Sequence, residues 1–161
     1  MSEIIKIISG GQTGADRAAL DWSLSRRVPC GGWCPKGRKA EDGVIDSKYP
    51  LKESPSPSYL QRTEWNVRDS DATVIFSISP RLSGGSKKTL EFARKHKKPC
   101  LHLHVAQDDA PEQLRRFLAE SKIEILNVAG PRASAQPDVG QFVIAALDRA
   151  FGIGRERQSG H

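Results

Sequence analysis

At 161 residues, with 37% hydrophobic and 27% charged content, the chain is sized for one domain that buries about two-thirds of its unfolded surface. Its formal charge of +6 favours anionic ligands, but the cations are distributed, and the densest runs, Lys87-Lys88 and Arg94-Lys95-His96-Lys97-Lys98, lack the interleaved aromatics of a nucleic-acid platform. Three cysteines make no disulfide framework, no apolar run reaches membrane-spanning length, and residues 1–6 lack a signal-peptide core, so the expectation is a cytoplasmic protein without membrane partners.

The run Ile4-Ile5-Lys6-Ile7-Ile8 predicts a first strand over residues 3–9, ending at Gly10, Gly11 and Gly14. A helix over about 14–27 follows, with Ala15, Ala18, Ala19 and Trp22 on one face, Thr13 as N-cap and Asp16 as its capping-box partner. A second strand covers 28–33. Residues 34–57 then carry four prolines and an Asp42-Gly43 turn; a connection this long inside a compact domain is usually functional. A weakly amphipathic helix is expected over 58–69 and a buried strand over 72–78. Next come a helix over 86–97 burying Leu90 and Ala93, and a strand over 99–105. A further helix opens at Asp109 with Glu112 as a capping box and presents Leu114, Phe117 and Leu118. A strand over 123–129 and a helix over 138–151 complete a domain of residues 1–153. Residues 154–161 read as a disordered polar tail.

Strand and helix alternating five times imply right-handed crossovers. The fold class is therefore α/β, a five-stranded, mainly parallel sheet with helices on both faces. Ligands of such sheets bind beyond the carboxyl ends of the strands. Those ends carry Gly10, Gly11, Gln12, Thr13 and Gly14; Lys36 and Arg38; Gly84, Gly85 and Ser86, with Thr89 one turn on; and Arg132 and Ser134. Bare glycine amides, helix N-termini, hydroxyls and guanidinium forks together suit a small phosphorylated ligand. Each cation alone also fits a solvated surface, and the glycines alone fit a tight strand–helix turn. Gly-Gly-x-x-Gly is neither the dinucleotide fingerprint nor the P-loop, so no dependence on NAD or ATP is expected. Asp16 reads equally as a helix cap or as a contact to a ligand hydroxyl.

No catalytic constellation assembles. Glu91 is a weak candidate general acid or base, and its place in an early helical turn also suits a plain carboxylate. Asp71 reads as a turn former. Cys30 and Cys34 lack metal-knuckle spacing, and His102 and His104 share a strand face as a structural pair, so no metal site is expected.

Five ordered motifs add a resemblance. Residues 9–21 (Ser-Gly-Gly-Gln-Thr-Gly-Ala-Asp-Arg-Ala-Ala-Leu-Asp), 34–43, 62–73, 84–86 and 127–134 (Asn-Val-Ala-Gly-Pro-Arg-Ala-Ser) together resemble the molybdenum-carrier (molybdenum cofactor carrier) protein family. The resemblance spans about residues 4–150. It implies a Rossmann-like domain related to the LOG, lysine-decarboxylase-like proteins. It also implies a homo-oligomer, tetramer or dimer, that holds molybdenum cofactor (molybdopterin), and Arg17 joins the candidate binding set through the first motif. Ser86-Lys87-Lys88 departs from the family's Gly-Gly-Thr and small apolar residues. Three functions follow: a carrier of molybdenum cofactor or a related phosphorylated pterin, a LOG-type nucleotide phosphoribohydrolase aided by Glu91, or a sensor of a nucleotide-derived ligand. Against the second, the spacing from Gly84-Gly85 to Thr89 and Glu91 carries one residue more than the Pro-Gly-Gly-x-Gly-Thr pattern of LOG proteins. In every version Arg132→Ala and Gly11→Val are expected to weaken binding and leave the fold intact.

Overall fold

The computed structural model describes residues 6–152; residues 3–5 of the first expected strand and the expected tail lie outside that range. In chain order the elements are β1 (Lys6–Ile8), α1 (Ala15–Arg26), β2 (Cys30–Gly31), β3 (Trp33–Cys34), β4 (Lys39–Ala40), β5 (Gly43–Val44), β6 (Lys52–Glu53), α2 (Tyr59–Asp69), β7 (Ala72–Ser77), α3 (Gly84–Lys95), β8 (Cys100–His104), α4 (Ala110–Glu120), β9 (Ile125–Ala129) and α5 (Val139–Ala150).

Five strands form one parallel sheet in the order β2-β1-β9-β7-β8. Ile7 stands between Cys30 and Leu126, and Thr73 between Asn127 and Cys100. The chain moves from β1 to β2 in one direction and from β7 to β8 in the other. Right-handed crossovers then put the two connecting helices on opposite faces: α1 packs with α5 and α5 with α4, while α2 packs with α3. Counted from β9, the strands follow the 3-2-1-4-5 order of the doubly wound dinucleotide fold. The first strand and helix of that fold stand here at the carboxyl end of the chain.

All six residues of β7 are buried, as a central parallel strand requires. On the α1/α4/α5 face, Ile7, Phe76, Leu103, Leu114, Leu126 and Leu147 are sealed around Trp22, whose Nε1 donates to Asp148 at 2.8 Å. Each such side chain contributes roughly 1.5–3 kcal/mol through burial. A smaller core of Leu20, Cys34, Ala40, Ile45 and Tyr49 anchors the connection between β3 and β6 to α1.

Several local expectations change. The strand expected over 28–33 divides at Gly32, whose φ of +125° turns the chain so that β2 stays in the sheet and β3 leaves it to pair with β6. The connection expected over 34–57 contains the β4–β5 hairpin and β6. Thr13 is not the N-cap of α1. Gly14 holds that position at φ +82°, with no side-chain cap, and a Cβ there would meet the Pro131 carbonyl at 2.4 Å. Asp109 occupies the N-cap of α4 but its carboxylate accepts from the Gln113 side chain rather than from a helix amide.

Candidate functional site

Beyond the carboxyl ends of β1 and β9, enclosed by α2 and the start of α3, lies a cavity of about 250 Å³. Each wall follows from the chain. The turn after β1 delivers Gly10 and Gln12, and the first turn of α1 delivers Asp16; α2 delivers Tyr59, Arg62 and Asn66; α3 opens with Gly84, Gly85 and Ser86, with Thr89 beneath; β9 delivers Asn127 and its following loop Arg132. Gly10 is required by proximity: a Cβ there would lie 2.8 Å from Arg62 Nε and 2.9 Å from Asp16 Oδ2. Without it, a guanidinium and a carboxylate could not both approach the strand end.

Three buried polar atoms of this lining have no hydrogen-bond partner among the described residues: Gln12 Nε2, Arg62 Nε and Ser86 Oγ. Leaving such a group unpaired costs about 1–3 kcal/mol each, so three of them in the residues of one lining mark it as a place where bound water or a ligand supplies the missing partners. The Gln12 amide is oriented by two backbone donors, since its Oε1 accepts from the Thr13 N–H at 3.1 Å and the Glu41 N–H at 2.8 Å. Its amino group is therefore the free end. Ser86, 7% exposed, sits in the first turn of α3, where Ser83 makes no side-chain cap bond. The dipole and open amides of that twelve-residue helix face the same space.

The cavity is electropositive. Around the Tyr59 ring gather Lys39 Nζ at 5.1 Å, Arg62 Cζ at 5.3 Å and Arg132 Cζ at 5.5 Å from its centroid. Burial pushes the Arg62 pKa below its ordinary value, and the charge of Arg132 adds to that push against Asp16. An anion would relieve both. Asp16, 5% exposed, has its pKa raised to about 6, chiefly by burial and against the pull of the Arg62 charge and the Gln12 backbone N–H.

Of the residues nominated from sequence, Gly10, Gln12, Asp16, Gly84, Gly85, Ser86, Thr89 and Arg132 line this cavity. The others lie outside its lining. Arg17 binds Asp42 at 2.9 Å and the Gly11 carbonyl. Arg38 donates to the carbonyls of Ile45, Asp46, Tyr49 and Leu51, holding the connection between β3 and β6 in shape. Thr13 and Ser134 both donate to the Glu41 carboxylate, Ser134 Oγ at 2.5 Å, which holds that carboxyl below its usual pKa. Gly11 packs its α-carbon toward Leu51 and Ile45, and Gly14 toward the loop after β9. The N-terminus of α1 is closed there, with the Ala15 N–H donating to the Pro131 carbonyl at 3.2 Å. Lys36 is exposed, as are Lys87 and Lys88, and Glu91 pairs at the surface with Lys88 at 3.3 Å.

Sequence reasoning placed no weight on Tyr59, on the adjacent Lys39 or on Arg62 as a site residue. A weakly amphipathic helix does not announce which polar face turns inward, and the only available signal was Arg62 inside the 62–73 motif. Asn66 lines the cavity but serves the backbone of Trp33, accepting its N–H at 2.8 Å and donating to its carbonyl at 3.0 Å. Among the described residues no cluster of His, Cys, Asp and Glu is built for a metal ion, and all three cysteines are free. His102 shares a 2.6 Å hydrogen bond with Ser77. No helix of the described residues is long and apolar enough to cross a membrane.

A crystal structure of a protein from Syntrophus aciditrophicus SB, described as a "putative molybdenum carrier protein", is 47% identical to this chain with a TM-score of 0.89, over 91% of this chain and 94% of that one. No curated protein matches. The model of the circularly permutated YpsA SLOG family matches residues 7–151. That span takes in the sheet apart from Lys6, and the permutation is visible in the strand order itself, with the fold's first strand standing last in the chain. This chain therefore belongs to the circularly permutated YpsA SLOG family.

Proposed function

We propose that this protein is a carrier that binds molybdenum cofactor or a related phosphorylated pterin without turning it over. The observation that carries the reading is the convergence of unpartnered Gln12 Nε2, Arg62 Nε and Ser86 Oγ on one cation-rimmed cavity. The open amides of α3 and the guanidinium groups of Arg62 and Arg132 suit a phosphate. A volume of about 250 Å³ lies just under the roughly 300–1,000 Å³ of ordinary small-molecule sites. It suits one phosphorylated ring and is too small to enclose a dinucleotide. The 47% identical protein is described as a molybdenum carrier, which supports a molybdenum-bearing cargo. The lining contains no cysteine or histidine, so molybdenum travels as cargo on its own pterin, and the protein grips the organic part.

The test is a thermal-shift and titration panel of molybdenum cofactor released from a molybdoenzyme, neopterin monophosphate and nucleoside monophosphates. A ligand at one hundred times its Kd stabilises the fold by about 2.7 kcal/mol, or roughly 5–10 °C for a domain of this size. Stabilisation and slowed oxidation of the cofactor are expected. No shift with any phosphorylated probe removes the reading. Free base released from nucleoside monophosphates would install the phosphoribohydrolase in its place.

A further inference from the structure

The cavity lining holds one carboxylate, Asp16, among the described residues. A buried negative charge in a site that favours anions opposes phosphate and needs a reason of its own. Helix capping is a weak one, because the bond from the Gln12 N–H to Asp16 Oδ2 is long, at 3.3 Å. Arg62 supplies an opposite charge beside Gly10, but the two form no ion pair, and Arg62 directs Nη1 to Thr63 instead. The Ser9 hydroxyl, also nearby, gives its proton to the Val128 carbonyl at 2.6 Å.

Four residues earlier, in the turn that leads into α1, stands the unpartnered amino group of Gln12, whose carbonyl end is fixed by two backbone N–H groups. The site thus offers a pair of acceptor oxygens beside a donor. Its complement is a ligand edge on which a carbonyl is followed by two N–H donors. Among phosphorylated heterocycles that sequence belongs to the 2-amino-4-oxopyrimidine ring of pterins and guanine. Adenine presents a ring nitrogen acceptor toward the carboxylate, and hypoxanthine lacks the second donor.

We propose that Asp16 and Gln12 read this edge. Asp16 accepts from the ring N–H and the exocyclic amine, and Gln12 Nε2 donates to the ring carbonyl. Arg62, Arg132 and the first turn of α3 take the phosphate. The assignment rests on the phosphorylated-ligand reading above and adds the ring that the site selects.

The experiment is calorimetric titration of the full chain with guanosine, inosine and adenosine monophosphates, neopterin monophosphate and inorganic phosphate, repeated with Asp16→Asn. Asparagine keeps an oxygen for the Gln12 N–H and turns an amino group toward the ligand's donors. Wild-type protein is expected to bind GMP at least about tenfold more tightly than IMP, because a site built for a donor is left unpaired by the analogue that lacks it. Asp16→Asn is expected to bring that ratio to about one without weakening inorganic phosphate, which also certifies that the variant is folded. Tighter binding of neopterin monophosphate than of GMP identifies the pterin as the preferred source of the ring, and the reverse identifies guanine. Equal affinity for GMP and IMP in the wild type, or an unchanged preference in Asp16→Asn, overturns the ring assignment and leaves the phosphate site standing. If inorganic phosphate and every phosphorylated probe fail to bind, both readings fall.

Discussion

Replacing Arg62 by methionine separates a residue kept for binding from one kept for stability. In the folded chain Arg62 donates to Thr63 and lies 5.3 Å from the Tyr59 centroid. The cation–π contact contributes about 0.5–2 kcal/mol. Against it stand burial of the guanidinium, an unpartnered Nε and the like charge of Arg132, while the opposite charge of buried Asp16 favours it. Methionine fills similar space and recovers the cost of burying the guanidinium but leaves Asp16 without its countercharge, so the unfolding free energy should fall by no more than about 2 kcal/mol, or roughly 4–8 °C in Tm. Binding should fall independently of that change. A charge-assisted hydrogen bond to phosphate contributes about 1.5–3 kcal/mol, which corresponds to a 10- to 150-fold loss of affinity for a phosphorylated probe. Differential scanning calorimetry of the free protein and titration with neopterin monophosphate measure the two quantities separately. A large drop in Tm with unchanged affinity would refute the reasoning, because it would make Arg62 a structural residue.

Asp16 predicts a pH dependence whose sign is fixed. Its pKa rises from 3.8 to about 6 on folding, so the unfolded chain loses the proton first as pH increases. The group's contribution to stability is full below about pH 4, falls as pH rises toward 6 and is then level, by an amount on the order of 3 kcal/mol. Urea unfolding of wild type and Asp16→Asn from pH 4 to 7.5 should show the variant gaining on the wild type across that window, and parallel profiles would contradict it. Gly14→Ala should destabilise by about 1–3 kcal/mol or more, since alanine is strained at φ +82° and its Cβ meets backbone at 2.4 Å; an unaltered urea midpoint counts against the packing described. Gly11→Val, expected from sequence to affect binding alone, should also lower the urea midpoint, because Gly11 has φ +83° and a Cβ there would lie 2.6 Å from Leu51. Glu91→Gln should leave both ligand affinity and Tm unchanged, as its carboxylate faces solvent beside Lys88; loss of binding would reopen a role for it.

The candidate site was partly legible before folding. Gly10, Gln12, Ser86 and Arg132 stand out because glycines, amides and cations at strand ends follow from local turn chemistry. Arg38 and Ser134 looked the same by that criterion, but both serve the connection between β3 and β6, Arg38 through four carbonyls and Ser134 through Glu41. Whether a cation meets a ligand or a neighbouring loop depends on which backbone carbonyls and carboxylates come within reach. That is a matter of long-range packing. Thr13 illustrates it: its residue type suits an N-cap, yet its hydroxyl bridges the Ala133 N–H and Glu41, partners 120 and 28 positions away.

By itself the sequence determined the alternation of strands and helices, the parallel character of the sheet and the glycine-rich strand ends, because periodicity and turn preference are properties of a few neighbouring residues. Strand order was decided only in three dimensions. β9, the last strand in the sequence, enters the middle of the sheet because β1 and β7 pair its two edges while its central residues are buried. That placement brings the loop carrying Arg132 beside the turn after β1 and beneath Tyr59 and Arg62 of α2. The opposed cations, the buried carboxylate and the unpartnered donors of the cavity exist only once those distant segments have met.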